Sequence, residues 1–565
     1  MKKQVWYWMI CIIAIVGGFF LFKYLNKEYL IKSEVVVDNT RWNKLIANEL
    51  NNNNVKLSVD GVTINSKNKK IYVDDELKMY IAVDNITETF NCFCAIYNGK
   101  TVKITKSDNV LTMDIGALEY NWNETALDSE LPILEIDKAY YFPVDILAEC
   151  FHYSYVWDGQ YTEMKLVSND NNSRNLPYYY SYEKEERSPQ VRSQGNYSTC
   201  WAFASVTALE TSLLPEEHKV FAADHMAIMN SFSVGVSEGG DYNISMAYLA
   251  AWQGPVLEKD DKYDGVSGKY KTVKHVQEMQ IIESKEYETI KAMVYKYGGV
   301  QSALYTSLVN SSSTSTYYNK ETNAYCYIGE NKPNHDIVII GWDDNYPKEN
   351  FNTAVEGDGA FICRNSWGKE FGDKGNFYVS YYDSNIGVHN IVYTRIEDTD
   401  NYDNIYQSDL CGYVGKMGYK DKSSAYFANV FKADKDEIVK AVGFYATDVD
   451  TKYEVFICPD YEDENSLTSS RTWVGSGSLK NKGYYTIELN RAIEVEKGNE
   501  FAVIIKATTP KSCEPVAVEF QNDDITKNVD IKDGKGYISF MGNAWERVED
   551  KKKCNICLKA FTEDR

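Results

Sequence analysis

The chain has 565 residues, 44% of them hydrophobic and 25% charged, with a formal net charge of −22. That composition excludes wholesale disorder, and a length several times the roughly 150 residues of a typical domain predicts three or four separately cored units. The acidic balance excludes a general nucleic-acid binder, which needs a basic surface against phosphate.

At the N-terminus, Lys2 and Lys3 precede Val5–Phe22, a run of 18 residues without a charge. As a helix this run spans about 27 Å, close to the ~30 Å hydrocarbon core of a bilayer. Trp6, Tyr7 and Trp8 suit the aromatic belt at one interface. No small-residue cleavage site follows Phe22, so residues 1–30 are expected to remain as a single-pass anchor, with a cleaved secretory signal as the alternative. Lys23 and Lys27 balance Lys2 and Lys3, and the flanking charges therefore leave orientation open. The bulk is expected outside the cell, because the rest reads as exported modules without a second span. Residues 31–55, rich in asparagine at Asn51–Asn54, read as a linker.

From 56 to 168 short strand patterns alternate with Asp, Asn and Gly turns. A faint internal repeat has an offset of 61: Tyr80, Val83, Asp84 and Phe90 recur as Tyr141, Val144, Asp145 and Phe151. Each copy reads as a strand, a short helix and another strand. The second copy, Tyr141–Phe151 followed by Val156-Trp-Asp-Gly159, resembles the small bacterial stalk modules called copper amine oxidase N-terminal-like domains. The resemblance implies a spacer or wall-binding unit. His152 is the only histidine before His218, so no metal-ligand cluster is expected here.

Residues 169–187 are polar and end in the charge cluster Glu183–Arg187, which reads as a linker running into the next unit. A long unit from 176 to 397 has helical periodicity first and strands later. Beyond Asp398–Asp403, residues 404–565 carry strand-length apolar segments such as Ala441–Thr447, Tyr453–Cys458 and Phe501–Lys506. Their spacing predicts an antiparallel β-sandwich. The twelve cysteines are scattered, unlike a dense disulfide scaffold, and Cys554-x-x-Cys557 reads as a strand pair or a local disulfide.

The chemistry lies in the long middle unit. A cysteine nucleophile needs a proton acceptor and donors for the oxyanion formed on attack. Gln194-Gly195-Asn-Tyr-Ser-Thr-Cys200-Trp-Ala-Phe-Ala204 places Cys200 just before an apolar helical stretch, Trp201–Leu214, with Ala202, Ser205, Leu209 and Leu213 among its packed positions. A helix N-terminus favours a thiolate. Gly195 permits the bend that sets the Gln194 amide beside the Cys200 backbone N–H, a two-donor oxyanion hole. Taken singly, such a cysteine is usually core and such a histidine usually structural.

The order of motifs is what resolves this. Papain-like enzymes carry Cys-Gly-(Ser/Ala)-Cys-(Trp/Tyr) at the nucleophile and a histidine about 130–150 residues on. Here Asn334-His335-Asp336 opens an apolar strand 135 positions after Cys200, and Cys363-Arg-Asn365-Ser-Trp367-Gly follows. The segment from 176 to 395 thus resembles the papain-like cysteine peptidases. That resemblance implies Asn365 as the hydrogen-bond partner of the His335 ring, Trp367 as its shield at the substrate cleft, and Gln194 in the oxyanion hole. It also implies Gly239-Gly240 as a backbone ledge for extended substrate, and Gly298-Gly299-Val300 as the entry to a strand. Two departures stand out. Tyr197 replaces the family's cysteine three residues before the nucleophile, and Asp343–Asp358 is a polar insertion expected at the primed side of the cleft. No helical inhibitory propeptide precedes the unit. The C-terminal segment, ending in Ser539-Phe-Met-Gly-Asn-Ala-Trp545, resembles the lectin-like sandwich that follows papain-type domains in some bacterial surface proteins.

The expected fold class is therefore α+β: a two-lobed papain-like domain, helical lobe plus β-barrel-like lobe, between a small α/β stalk module and an antiparallel β-sandwich. The expected function is peptide-bond hydrolysis through a thioester acyl-enzyme at the cell surface, with no metal or organic cofactor. Protein or peptide is the expected substrate, and cell wall or carbohydrate a further partner of the flanking modules. Two alternatives are a Cys/His amidase or acyl transferase acting on wall peptides, and a surface adhesin that retains the peptidase unit as an inactive scaffold.

Overall fold

The computed structural model describes residues 40–565 apart from 53–54, 61, 67–68, 107–108, 158–162 and 169–175. The expected anchor at 1–30 and the first part of the linker lie outside the described residues. Among the described residues no helix is long and apolar enough to cross a membrane.

The stretch read as linker is corrected in part: Thr40–Asn52 is a helix. Its Ala47 and Leu50, three apart and hence on one face, are buried. The Asn51 side chain caps the Val73 backbone twice, donating to its carbonyl at 2.7 Å and accepting from its N–H at 2.9 Å. Asn51, within the stretch read as linker, thus docks the helix onto the first module.

In that module the two repeat copies fold alike. Strand Met79–Ala82 leads into helix Val83–Phe90 and strand Phe93–Tyr97, and strand Ala139–Pro143 leads into helix Val144–Cys150 and strand Tyr153–Trp157. The copies' first strands pair antiparallel, Phe142 opposite Ile81. Buried Val83, Ile86 and Phe90 from one helix and Val144, Ile146 and Leu147 from the other share one core.

The middle unit splits into two lobes. The helical lobe centres on Cys200–Leu213, with twelve of its fourteen residues buried, so this helix is enclosed on all sides rather than amphipathic. Helices Ala223–Ile228 and Tyr242–Ala250 pack beside it. The other lobe is a sheet in which His335–Asp343 lies between Val300–Leu304 and Ala360–Arg364, antiparallel to both. Tyr179–Ser181, inside the polar stretch read as linker, pairs with the far end of the same strand. The insertion Asp343–Asp358 folds back on the sheet, with Tyr346 and Phe351 against Ala324, Cys326 and Ala360.

The C-terminal unit is a sandwich. Ser424–Lys432, Thr451–Cys458 and Glu500–Thr508 form one layer, and Glu437–Ala446, Lys482–Val495 and Leu558–Asp564 the other. Phe427, Phe444, Val455, Val503 and Ile505 fill the space between them. Both layers run on into neighbouring modules. The first continues through Val156↔Gly477 and Trp157↔Ser476 into the N-terminal module, making ten strands. The second continues through Glu278↔Tyr485 to Ile281↔Lys482 into the two-lobed unit. Cys554 and Cys557 are both buried free thiols, so the local disulfide read as one option there does not form, and all eleven cysteines of the described residues are free.

Candidate active site

Cys200 is the first residue of the buried helix, half exposed at the lobe boundary. Its position there is fixed from both sides. Upstream, the Ser198 N–H donates to Val236 carbonyl at 2.8 Å, and the Tyr263 hydroxyl donates to Gln194 carbonyl at 2.9 Å while lying 2.6 Å from Thr199 Oγ1. Tyr263 thereby staples the two ends of the Gln194–Thr199 loop. Downstream, Arg192 reaches Glu210 on the same helix at 2.9 Å, both buried, and gives a further bond to the Phe221 carbonyl at 2.7 Å. Burial raises the Glu210 carboxyl to about 7 against the pull of Arg192. Such a pair contributes mainly through the cost of breaking it, about 3–5 kcal/mol when one partner is removed.

His335 opens the central strand of the other lobe and is buried. Its Nε2 lies 2.8 Å from Asn365 Oδ1. The same oxygen accepts the Ser366 backbone N–H at 2.7 Å. A backbone N–H can be satisfied only by the amide's oxygen, so the Asn365 side chain has one orientation and Nε2 must carry the ring proton. Nδ1 is left bare as a base. Trp367 stacks over the imidazole, centroids 4.6 Å apart and planes at 29°, and is itself braced edge-on by Phe371. Burial pulls the His335 ring down to about 4, with the Asn365 bond opposing.

Gln194 joins the two halves. Its backbone N–H donates to the Ser366 carbonyl at 2.8 Å, and its Oε1 accepts the Ser366 hydroxyl at 2.6 Å. Its Nε2 donates to the Tyr197 carbonyl at 2.8 Å. One of the two amide hydrogens is thereby used and the other is left for a ligand oxygen. Burial and the Asp336 carboxylate push the Cys200 thiol up to about 12, while the backbone N–H groups of Asp336, Trp201 and Cys200 pull the other way. The Asp336 N–H puts the sulfur beside the residue that follows His335.

Gly239 and Gly240 sit where two different demands exclude side chains. Gly239 has φ +88°, a left-handed conformation, and open space where a Cβ would point. A Cβ on Gly240 would lie 2.6 Å from the Trp201 ring, next to the nucleophile. Gly298 and Gly299 let their strand pass against the C-terminal end of the nucleophile helix, where a Cβ would meet Ser212 and Val338.

Gln194, His335, Asn365 and Trp367 are thus linked through Ser366, with Cys200 beside Asp336. Tyr263 and Arg192 were missed: no local pattern marks a tyrosine that staples a loop from outside it. Asp336 was also missed in its own right. Its carboxyl, on a half-buried residue and raised to about 7, accepts from Gln301 at 2.8 Å, and Gln301 links on to Ser205 of the Cys200–Leu213 helix at 2.7 Å. Among the described residues no group of three His, Cys, Asp or Glu converges as a metal site.

Comparison with known proteins agrees with this division. Residues 177–396 match the family model described as papain family cysteine protease, 405–562 the lectin like domain, and 58–166 the copper amine oxidase N-terminal domain. Cathepsin K of Mus musculus is 23% identical over 210 residues, 35% of this chain and 58% of that protein. The probable cysteine protease RD19B of Arabidopsis thaliana is 24% identical over 39% of this chain and 63% of its own length. The chain therefore spans about three fifths of the curated relatives it matches. Among solved structures, the cysteine protease and lectin-like domains of Cwp84, a surface layer associated protein of Clostridium difficile, superpose with a TM-score of 0.60 at 25% identity. That match covers 69% of this chain and 90% of the other. Clostridial Cwp84 after propeptide cleavage gives the same TM-score at 26% identity, covering 68% and 99%.

Proposed function

We propose that this chain, which carries a papain-family cysteine protease domain over residues 177–396, hydrolyses peptide bonds at a cell surface, with Cys200 as nucleophile and His335 as base. The observation that carries the reading is the chain of hydrogen bonds from His335 through Asn365 and Ser366 to Gln194. It orients the base and the oxyanion donor with one segment. Cys200 Sγ gives its proton to His335 Nδ1 and attacks the substrate carbonyl carbon. The oxygen, now negative, is held by the free Gln194 amide hydrogen and the Cys200 N–H. The imidazolium protonates the leaving amine as the C–N bond breaks, leaving a thioester. Water then attacks, its proton returning through His335, and the acid product leaves a free thiol. Extended substrate lies along the Gly239–Gly240 ledge, with Trp367 closing the site over His335.

A surface location rests on likeness to Cwp84, a surface layer associated protein, and single-pass anchoring with the bulk outside rests on the apolar run Val5–Phe22. The flanking modules are read as contacts to wall, carbohydrate or protein.

Cys200→Ala is expected to lower kcat/KM on a fluorogenic peptide library by at least about a thousandfold with the fold retained. Labelling by a thiol-directed epoxide should vanish with it. Turnover surviving in that variant removes the mechanism. With the imidazole pulled down to about 4, kcat/KM should hold to acid pH and fall only below about 4, where the base is protonated. Because the Asn365 bond favours the charged ring, Asn365→Ala should move that acid limb lower still. An unmoved limb would mean that Asn365 does not set the base.

A further inference from the structure

A wide concavity lies away from the peptidase site. A cleft of about 1330 Å³ opens between the N-terminal module and the sandwich. Pockets for drug-sized molecules are roughly 300–1,000 Å³, so this one has room for an oligomer. Its floor is one continuous sheet, running from Tyr153–Trp157 across Thr472–Leu479, Thr451–Cys458 and Glu500–Thr508 to Ser424–Lys432.

The lining combines aromatic rings with charges of both signs, several of them paired. On the floor Glu454 and Lys506 pair at 2.8 Å. On the N-terminal side Lys78 stands 3.9 Å from Asp145, and Glu130, exposed at the rim, is close enough to raise both Lys78 and Lys506. On the sandwich side the Arg471 guanidinium lies 5.1 Å from the Tyr426 ring and 4.9 Å from that of Phe456. Its Nη1 is tied to the Gly542 carbonyl at 2.8 Å, and its Nε is buried without a partner. Phe540 and Met541 stand exposed at the mouth, 37% and 51% accessible.

Each class of ligand meets this surface differently. A peptide adding as a strand finds no edge, because the floor strands are paired on both sides. An anionic polymer finds Lys506 and Lys78 already paired with Glu454 and Asp145, in a chain of net charge −22, and meets Arg471 and Arg491 as the lining cations with no ion pair among the described residues. A neutral sugar chain finds acceptors and donors side by side, which hydroxyls satisfy in both senses, and the exposed Phe540 ring at the mouth for its C–H surfaces.

We propose that this cleft binds a neutral oligosaccharide several units long, gripped by the N-terminal module and the sandwich together. The site is independent of the peptidase reading. It uses a wall that the lectin-like unit alone does not possess.

The test uses the full chain as its Cys200→Ala variant, which prevents self-cleavage. Calorimetry is run with N-acetylglucosamine, cello- and malto-oligosaccharides of about two to eight units, lengths suited to a cleft larger than a drug pocket. One series should bind and tighten with length. Tyr426→Ala and Phe540→Ser should each weaken it about tenfold or more, and Glu130→Ala, from the opposite wall, at least about threefold. Phe540 and Glu130 are exposed, so their variants should melt like the parent, which separates lost binding from lost fold. Absence of binding by every series overturns the proposal. So does binding that survives Phe540→Ser and Tyr426→Ala together. Loss on the sandwich variants with none on Glu130→Ala removes the shared grip, and tighter binding of polyphosphate or an acidic peptide removes the neutral ligand.

Discussion

The sandwich is joined to its neighbours by two seams of the same kind and unequal depth. Toward the peptidase, four residue pairs connect Lys482–Val495 with His275–Ile282. The Asn481 side chain donates to Gln280 at 2.8 Å, and Trp252 lies flat on His275 at 3.7 Å with Phe561 behind it. Toward the N-terminal module only two pairs connect Thr472–Leu479 with Tyr153–Trp157, supported by a half-exposed Lys452–Glu149 bridge at 2.7 Å. The first seam is lined by aromatic rings; the second borders the wide cleft. The difference teaches that the sandwich shares twice as many strand residue pairs with the peptidase as with the N-terminal module.

The largest expected effect comes from wedging the deep seam. Gly483 has φ +140°, and a Cβ there would lie 2.0 Å from the Met279 carbonyl oxygen. Gly483→Val should cost about 3 kcal/mol or more in denaturant unfolding and lower peptide turnover by disturbing the His275–Ile282 strand. A variant as stable as the parent would show that this seam carries no load. Next is pH. Burial depresses the His275 ring, although Asn401 accepts or donates at 2.6 Å on its Nδ1. A ring held neutral when folded contributes stability above the unfolded value of about 6.5, lost as pH falls below it. The melting temperature should therefore drop on acidification, and His275→Gln should flatten that drop; an unchanged slope would assign the acid sensitivity elsewhere. The smallest effect belongs to the shallow seam. A Cβ on Gly477 would lie 2.5 Å from the Tyr155 carbonyl oxygen. Gly477→Val should loosen the N-terminal module, visible as a larger radius in small-angle scattering, at about 1 kcal/mol and with peptide turnover unchanged. Loss of turnover there would erase the contrast between the seams.

Much of the catalytic unit was legible because its parts are local. Cys200 before an apolar stretch, His335 at a strand start and Asn365 after a strand are short patterns, and their chain order excluded coincidence. The helix at Thr40–Asn52 was not legible, because its burial depends on Asn51 meeting Val73 from a distant strand. Asp336 was visible as a residue beside the histidine, yet its carboxyl is raised by burial and by Asp241, with the Gln301 bond opposing, and those partners are distant along the chain.

By itself the sequence pointed to the side chains proposed for the chemistry and to the type of each module, since helix and strand periods and the Cys–His–Asn order are written locally. Tertiary structure alone decided that the sandwich's two layers extend into different neighbours. A strand edge offers the same N–H and C=O ladder whatever its side chains, so its partner is chosen by packing on the two faces. The cleft floored by two modules follows from that choice.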